Sequence, residues 1–167
     1  MTPPRLIVLA GAPGVGKTTI GRRVADALMA TYLRVDSVEA AVARSLGTDD
    51  VGAAGYAVAH AVALDQLGSR RPVVVDAVNA VQVARDGWVA LAASAPAVLT
   101  FVEIICSDAA EHRRRVESRV ADLAGHRVPD WADVAARAVD PWREPRLVLD
   151  NLGSADAAVA ELLERLG

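Results

Sequence analysis

At 167 residues and a formal net charge of −3, the chain has the size of one domain that can bury a core without disulfides or a structural metal. The acidic balance argues against broad adhesion to nucleic acid or to an anionic membrane, and it points to a small-molecule partner. One cysteine, Cys106, excludes an internal disulfide; His60, His112 and His126 lack zinc-ligand spacing; and no secretory leader or membrane-length apolar run is read, so a cytoplasmic monomer or homodimer is expected.

In chain order, the apolar run Leu6–Leu9 predicts a first strand, and Gly11-Ala12-Pro13-Gly14-Val15-Gly16-Lys17-Thr18 follows it as G-x-x-x-x-G-K-[ST]. Strand before and helix after mark a phosphate-binding loop. Its glycines let backbone N–H groups converge on phosphate oxygens, and the next helix adds its positive end. Lys17 reaches the outer phosphates, Thr18 completes a magnesium shell, and Thr19 continues the nucleotide-binding run. A plain glycine turn would leave Gly-Lys-Thr unexplained.

A helix over Lys17–Ala30 leads to a strand over Tyr32–Val35, then Asp36 and a helix over Ser37–Leu46. Further helices are predicted over Val51–Leu67, Ala80–Ala93, Ala109–Ala121 and Ala155–Leu166, and further strands over Pro72–Val75, Val98–Ile105 and Leu147–Leu149. From Asp122 to Pro145 the pattern weakens around Gly125, Pro129, Pro141 and Pro145, and the stretch 109–145 reads as a lid. This alternation predicts an α/β fold, a parallel sheet with helices on both faces and its ligand at the carboxyl edge, in one unit over 1–167.

Polar residues stand at that edge. Asp76, after Val73-Val74-Val75, fits a carboxylate that holds magnesium beside Thr18, with a turn or cap aspartate as the alternative. Asp36 can accept the proton of a substrate hydroxyl as it attacks ATP, or can cap the following helix. Arg115 and Arg119, four apart on one predicted helix face, are candidate lid cations for phosphoryl transfer, although Glu111 and Arg115 also form an ordinary i,i+4 pair. Arg113 and Arg114 enlarge the cluster on other faces. Tyr56 and Trp88 either line an acceptor pocket or join the core, and Trp131 and Trp142 sit in the lid. Glu103, a carboxylate in an apolar strand, needs a solvated end or a buried cation.

With these residues placed, the chain resembles the small P-loop kinases related to gluconate kinase, adenylylsulfate kinase and chloramphenicol phosphotransferase. More narrowly it is similar to a bacterial group of P-loop ATPases through Val75-Asp76-Ala77-Val78-Asn79, Arg85-Asp86-Gly87-Trp88 and Glu111 to Arg119. The resemblance implies a three-layer sandwich with five parallel strands in the order 2-3-1-4-5 and a helical lid. It implies ATP and Mg2+, Asp36 as base or acceptor anchor, Arg115 or Arg119 against phosphate or adenine, and Asn151 beside the adenine. Asn79 and Arg85 match an Asp-x-x-Asn plus Arg pattern of kinases acting on small hydroxylated acceptors and on polynucleotide 5′ ends, and Asp36, Tyr56, Asn79 and Arg85 form the expected acceptor set. A nucleotide-dependent switch with a protein partner and a polynucleotide 5′-hydroxyl kinase are the alternatives.

Overall fold

A computed structural model describes residues 2–48, 50–123 and 128–167; Gly125 and His126 lie outside the described residues. Five strands, β1 (Arg5–Ala10), β2 (Thr31–Arg34), β3 (Val73–Asp76), β4 (Val98–Ile105) and β5 (Arg146–Asp150), form one sheet in the order β2-β3-β1-β4-β5. Every pairing is parallel, so the order implied by the resemblance is the observed one. Among the described residues there are seven helices: α1 (Lys17–Ala27), α2 (Val35–Leu46), α3 (Ala54–Gly68), α4 (Gln82–Ser94), α5 (Ala109–Glu117), α6 (Trp131–Ala135) and α7 (Ala155–Leu166).

Successive strand side chains point to opposite faces, which divides the core in two. Leu6, Val8, Val73 and Val75 pack with Ala59, Ala63, Leu67 and Trp88 on one face. Ile7, Leu9 and Val74 pack with Ile20, Val24, Val159 and Leu162 on the other. Trp88 is therefore core, fully buried. This two-sided burial explains why the central strands are apolar at consecutive positions.

The boundaries that differ from expectation bear on the site. β2 stops at Arg34, and Val35 already belongs to α2, so Asp36 is the second residue of that helix and the cap position is Arg34. α5 ends at Glu117, which places Arg119 beyond the helix rather than one turn above Arg115 on the same face. Beyond α5 a tie crosses the cleft mouth: Arg34, buried at the end of β2, grips Asp122 with two hydrogen bonds of 2.6 and 3.3 Å. α4 begins at Gln82 because Asn79 takes a left-handed conformation (φ +50°), and the Gln82 N–H is received by Asp140 from the distant loop at 2.7 Å. Within the stretch expected to be irregular, Asp130 and Asp133 form a capping box that starts the short α6.

Candidate functional site

The loop after β1 is fixed by close approach. A Cβ on Gly11 (φ +139°) would lie 2.2 Å from the Ile104 carbonyl oxygen, and one on Gly14 (φ +85°) would meet Val116 at 2.6 Å. Backbone cannot yield as a side-chain tip does. Gly11→Ala is therefore expected to cost about 1–3 kcal/mol of stability and to weaken nucleotide binding, both readable by thermal unfolding with and without AMPPNP.

A cleft of about 1020 Å³ opens on this loop. Gly14, Gly16, Lys17, Thr18 and Thr19 line one side, Asp36, Glu39 and Asp76 another, and Arg115, Arg119 and Arg137 roof it from the segment after β4. Lys17 is buried, and its Nζ donates to the Gly11 and Ala12 carbonyls at 2.8 and 2.9 Å. Burial lowers its pKa, while Asp76 and Asp36 act in the opposite direction, so both carboxylates lie within electrostatic reach of the lysine.

Thr18 Oγ1 donates to Asp76 Oδ2 at 2.7 Å, and the Tyr32 hydroxyl donates to the same oxygen at 2.6 Å. Burial first, and Asp76 second, raise the Tyr32 pKa well above its ordinary value, keeping the phenol a donor. This oxygen set suits a hard cation such as Mg2+, which takes few protein ligands and retains phosphate oxygens and water. Among the described residues no cluster of three or more His, Cys, Asp or Glu side chains is placed to hold a metal.

Asp36 lies 3.7 Å from the Arg34 guanidinium, and Glu39, one turn further along α2, lines the same cleft. Glu39 fits because the second residue of α3 is glycine: a Cβ on Gly55 would stand 2.2 Å from Glu39 Cγ. Burial and then Asp36 raise the Glu39 pKa.

Several expected contacts are spent elsewhere. Arg115 lines the cleft, but its guanidinium donates to the carbonyls of Asn151 (2.7 Å) and Leu152 (3.2 Å) and to Glu111 (2.7 Å). It clamps the loop after β5 rather than facing a phosphate. Glu111, held by Arg114 and Arg115, has its pKa lowered to about 2. Arg119 remains in the cleft, 3.9 Å from Asp122. Asn151 braces the loop from below, its Nδ2 donating to the Val15 carbonyl at 2.8 Å, and it does not line the cleft. A Cβ on Gly16 would be 2.4 Å from that Nδ2.

The acceptor set is likewise corrected. Arg85 is fully buried and donates to the carbonyls of Asn79, Ala80, Asp140 and Pro141 and to Gln82 Oε1, so it staples the lid return to α4 and does not reach the cleft. Asn79 is spent between the Leu9 carbonyl (2.8 Å) and Trp88 Nε1 (3.0 Å). Tyr56 accepts the Asn79 N–H at 3.4 Å, and burial pushes its pKa up to about 12. None of the three lines the cleft. Glu103 finds its cation in Arg146, at 2.5 Å. Trp142 is stacked between Arg85 and Arg146, and Trp131 packs edge-on to His112.

Sequence reading missed Tyr32, Glu39 and Arg137. Glu39 was legible as the i+3 neighbour of Asp36, whereas only the fold brings the Tyr32 phenol to Asp76 and Arg137 to the cleft.

A family model described as an AAA domain matches residues 6–140. Among solved structures, a presumed kinase from Chloroflexus aurantiacus aligns with 99% of this chain and 97% of its own, at 24% identity and a TM-score of 0.77. The APS kinase CysC of Mycobacterium tuberculosis, bound to AMPPNP and APS, aligns over 99% of both chains at 17% identity and 0.71. Kti12 of Chaetomium thermophilum, bound to ADP-AlF3, aligns over 96% of both at 19% identity and 0.70. At these identities the likeness shows the fold. Curated proteins give no sequence match, and among the described residues no helix is long and apolar enough to cross a membrane.

Proposed function

This chain belongs to the AAA domain family, a P-loop kinase family, and from that premise we propose that it is a magnesium-dependent phosphotransferase moving the γ-phosphoryl group of ATP to a hydroxyl of a small molecule. The observation that carries the reading is the sharing of one cleft by Lys17, the Thr18–Asp76 pair and the Asp36 carboxylate. A carboxylate on α2 that shares the cleft with Lys17 can take a proton from an attacking oxygen, that of water in a hydrolase or of an acceptor hydroxyl in a kinase. A kinase needs one there to take the acceptor's proton.

In the proposed step the acceptor oxygen forms a bond to the γ-phosphorus as the bond to the β–γ bridging oxygen breaks. The hydroxyl proton passes to Asp36, and the leaving charge departs on ADP. Lys17 and Arg119 bear the charge that spreads over the transferring oxygens. Thr18 and Asp76 would hold Mg2+, which when bound neutralises charge across the β- and γ-phosphates. A buried lysine with a lowered pKa is still drawn to its charged form by Asp36 and Asp76, as phosphate binding requires.

The second reading, a nucleotide-dependent switch, draws on the fold shared with Kti12 in its nucleotide complex. γ-Labelled ATP incubated with the protein, Mg2+ and a pool of hydroxylated metabolites separates the two. Label is expected in an organic phosphate ester. Label found only in inorganic phosphate contradicts the kinase, and label on a 5′-hydroxyl oligonucleotide moves the acceptor to nucleic acid.

A further inference from the structure

Beside the phosphate cleft lies a second cavity of about 270 Å³. Its walls are largely apolar, from Val78, Ile104, Val134, Val139 and Trp142. Most polar side chains there are already engaged: Asn79 with Leu9 and Trp88, Glu103 with Arg146, His112 with the Pro13 carbonyl at 2.8 Å. Among the described residues, Arg137 is the polar side chain of this pocket whose guanidinium has no hydrogen bond or ion pair.

Val78 and Arg137 line both cavities and so stand at their junction. Arg137 is close enough to oppose the charge on Lys17 and to favour ionisation of Tyr56. An arginine held near a lysine, with no carboxylate of its own among the described residues, is stabilised when an anion arrives between them. An apolar pocket with one convergent charged group is the ordinary form of a small-molecule site.

We infer that this side pocket receives the body of the acceptor and that the acceptor is a hydroxy acid with a compact apolar body. Its hydroxyl stands at the Asp36 side of the cleft, its carboxylate on Arg137, and its apolar part against Val139 and Trp142. The inference rests on the kinase reading for the fate of the hydroxyl, but occupancy of the pocket is measurable without turnover.

Cys106 lines the side pocket and is the single cysteine of the chain, so thiol labelling reports on that pocket alone. Labelling by Ellman's reagent in the presence of AMPPNP and Mg2+ is compared with added 3-phenyllactate, 2-phenylethanol or gluconate. 3-Phenyllactate is expected to slow labelling by about tenfold at concentrations where the other two have little effect, a difference of about 1.4 kcal/mol. Arg137→Gln is expected to remove that protection while AMPPNP still binds.

Equal protection by gluconate, or none by 3-phenyllactate, overturns the inference. So does an Arg137→Gln variant that keeps the protection and loses AMPPNP affinity, because Arg137 would then serve the nucleotide. Protection without any phosphate ester formed from γ-labelled ATP would leave the pocket assigned and sink the kinase reading instead.

Discussion

Replacing Arg85 with alanine is expected to lower the unfolding free energy by about 3–5 kcal/mol, the range for breaking a buried ion pair by removing one partner. Arg85 is fully buried and donates to five acceptors in three segments, and its guanidinium stacks on the Trp142 ring at 4.5 Å. Its removal orphans the carbonyls of Asp140 and Pro141 and leaves Glu144, 3.4 Å away, as a largely buried carboxylate without its cation. The lid return would detach from α4, where Asp140 also receives the Gln82 N–H. At roughly 2–4 °C per kcal/mol for a chain of this size, the midpoint should drop by about 6–20 °C. A substrate-binding arginine would instead raise KM and leave the melting curve where it was, so one thermal scan decides between the two roles.

Local signals were readable in the sequence, and contacts between distant segments were not. The phosphate-binding loop was legible because strand, glycines, Lys17, Thr18 and helix are contiguous, and the order of the sheet followed from the resemblance. Asp76 was legible as a carboxylate at a strand exit, and it accepts the Thr18 hydroxyl at 2.7 Å. Arg85 and Asn79 were misplaced because a pattern of residue types does not record burial; the acceptors that consume them come from Leu9, Asp140 and Pro141. Arg119 was misplaced for a similar reason. Its helix ends at Glu117, and the Arg34–Asp122 pair just beyond joins residues 88 apart in sequence. Arg115 carries the cautionary case: its i,i+4 bond to Glu111 was visible, but its grip on the loop after β5 was not.

Asp36 carries the largest functional prediction. It sits in the first turn of α2, where the helix dipole favours a carboxylate, and it shares the cleft with Lys17, Thr18 and Arg137. Asparagine keeps the shape and the hydrogen-bonding reach but cannot receive a proton. General-base catalysis by a positioned carboxylate is worth about 10²–10⁴ in rate, so Asp36→Asn should lose that factor in acceptor-stimulated turnover. Its half-buried side chain lies outside both core clusters, so thermal unfolding should shift by no more than a few degrees.

The deciding measurement is ADP formation from ATP and Mg2+, with and without fractions of a hydroxylated metabolite pool, for wild type and Asp36→Asn side by side. The account predicts that one small-molecule fraction stimulates the wild type and that the stimulation falls at least about 10²-fold in the variant. If no fraction stimulates and both proteins hydrolyse ATP at the same slow rate, Asp36 is not a base and the protein is not a small-molecule kinase.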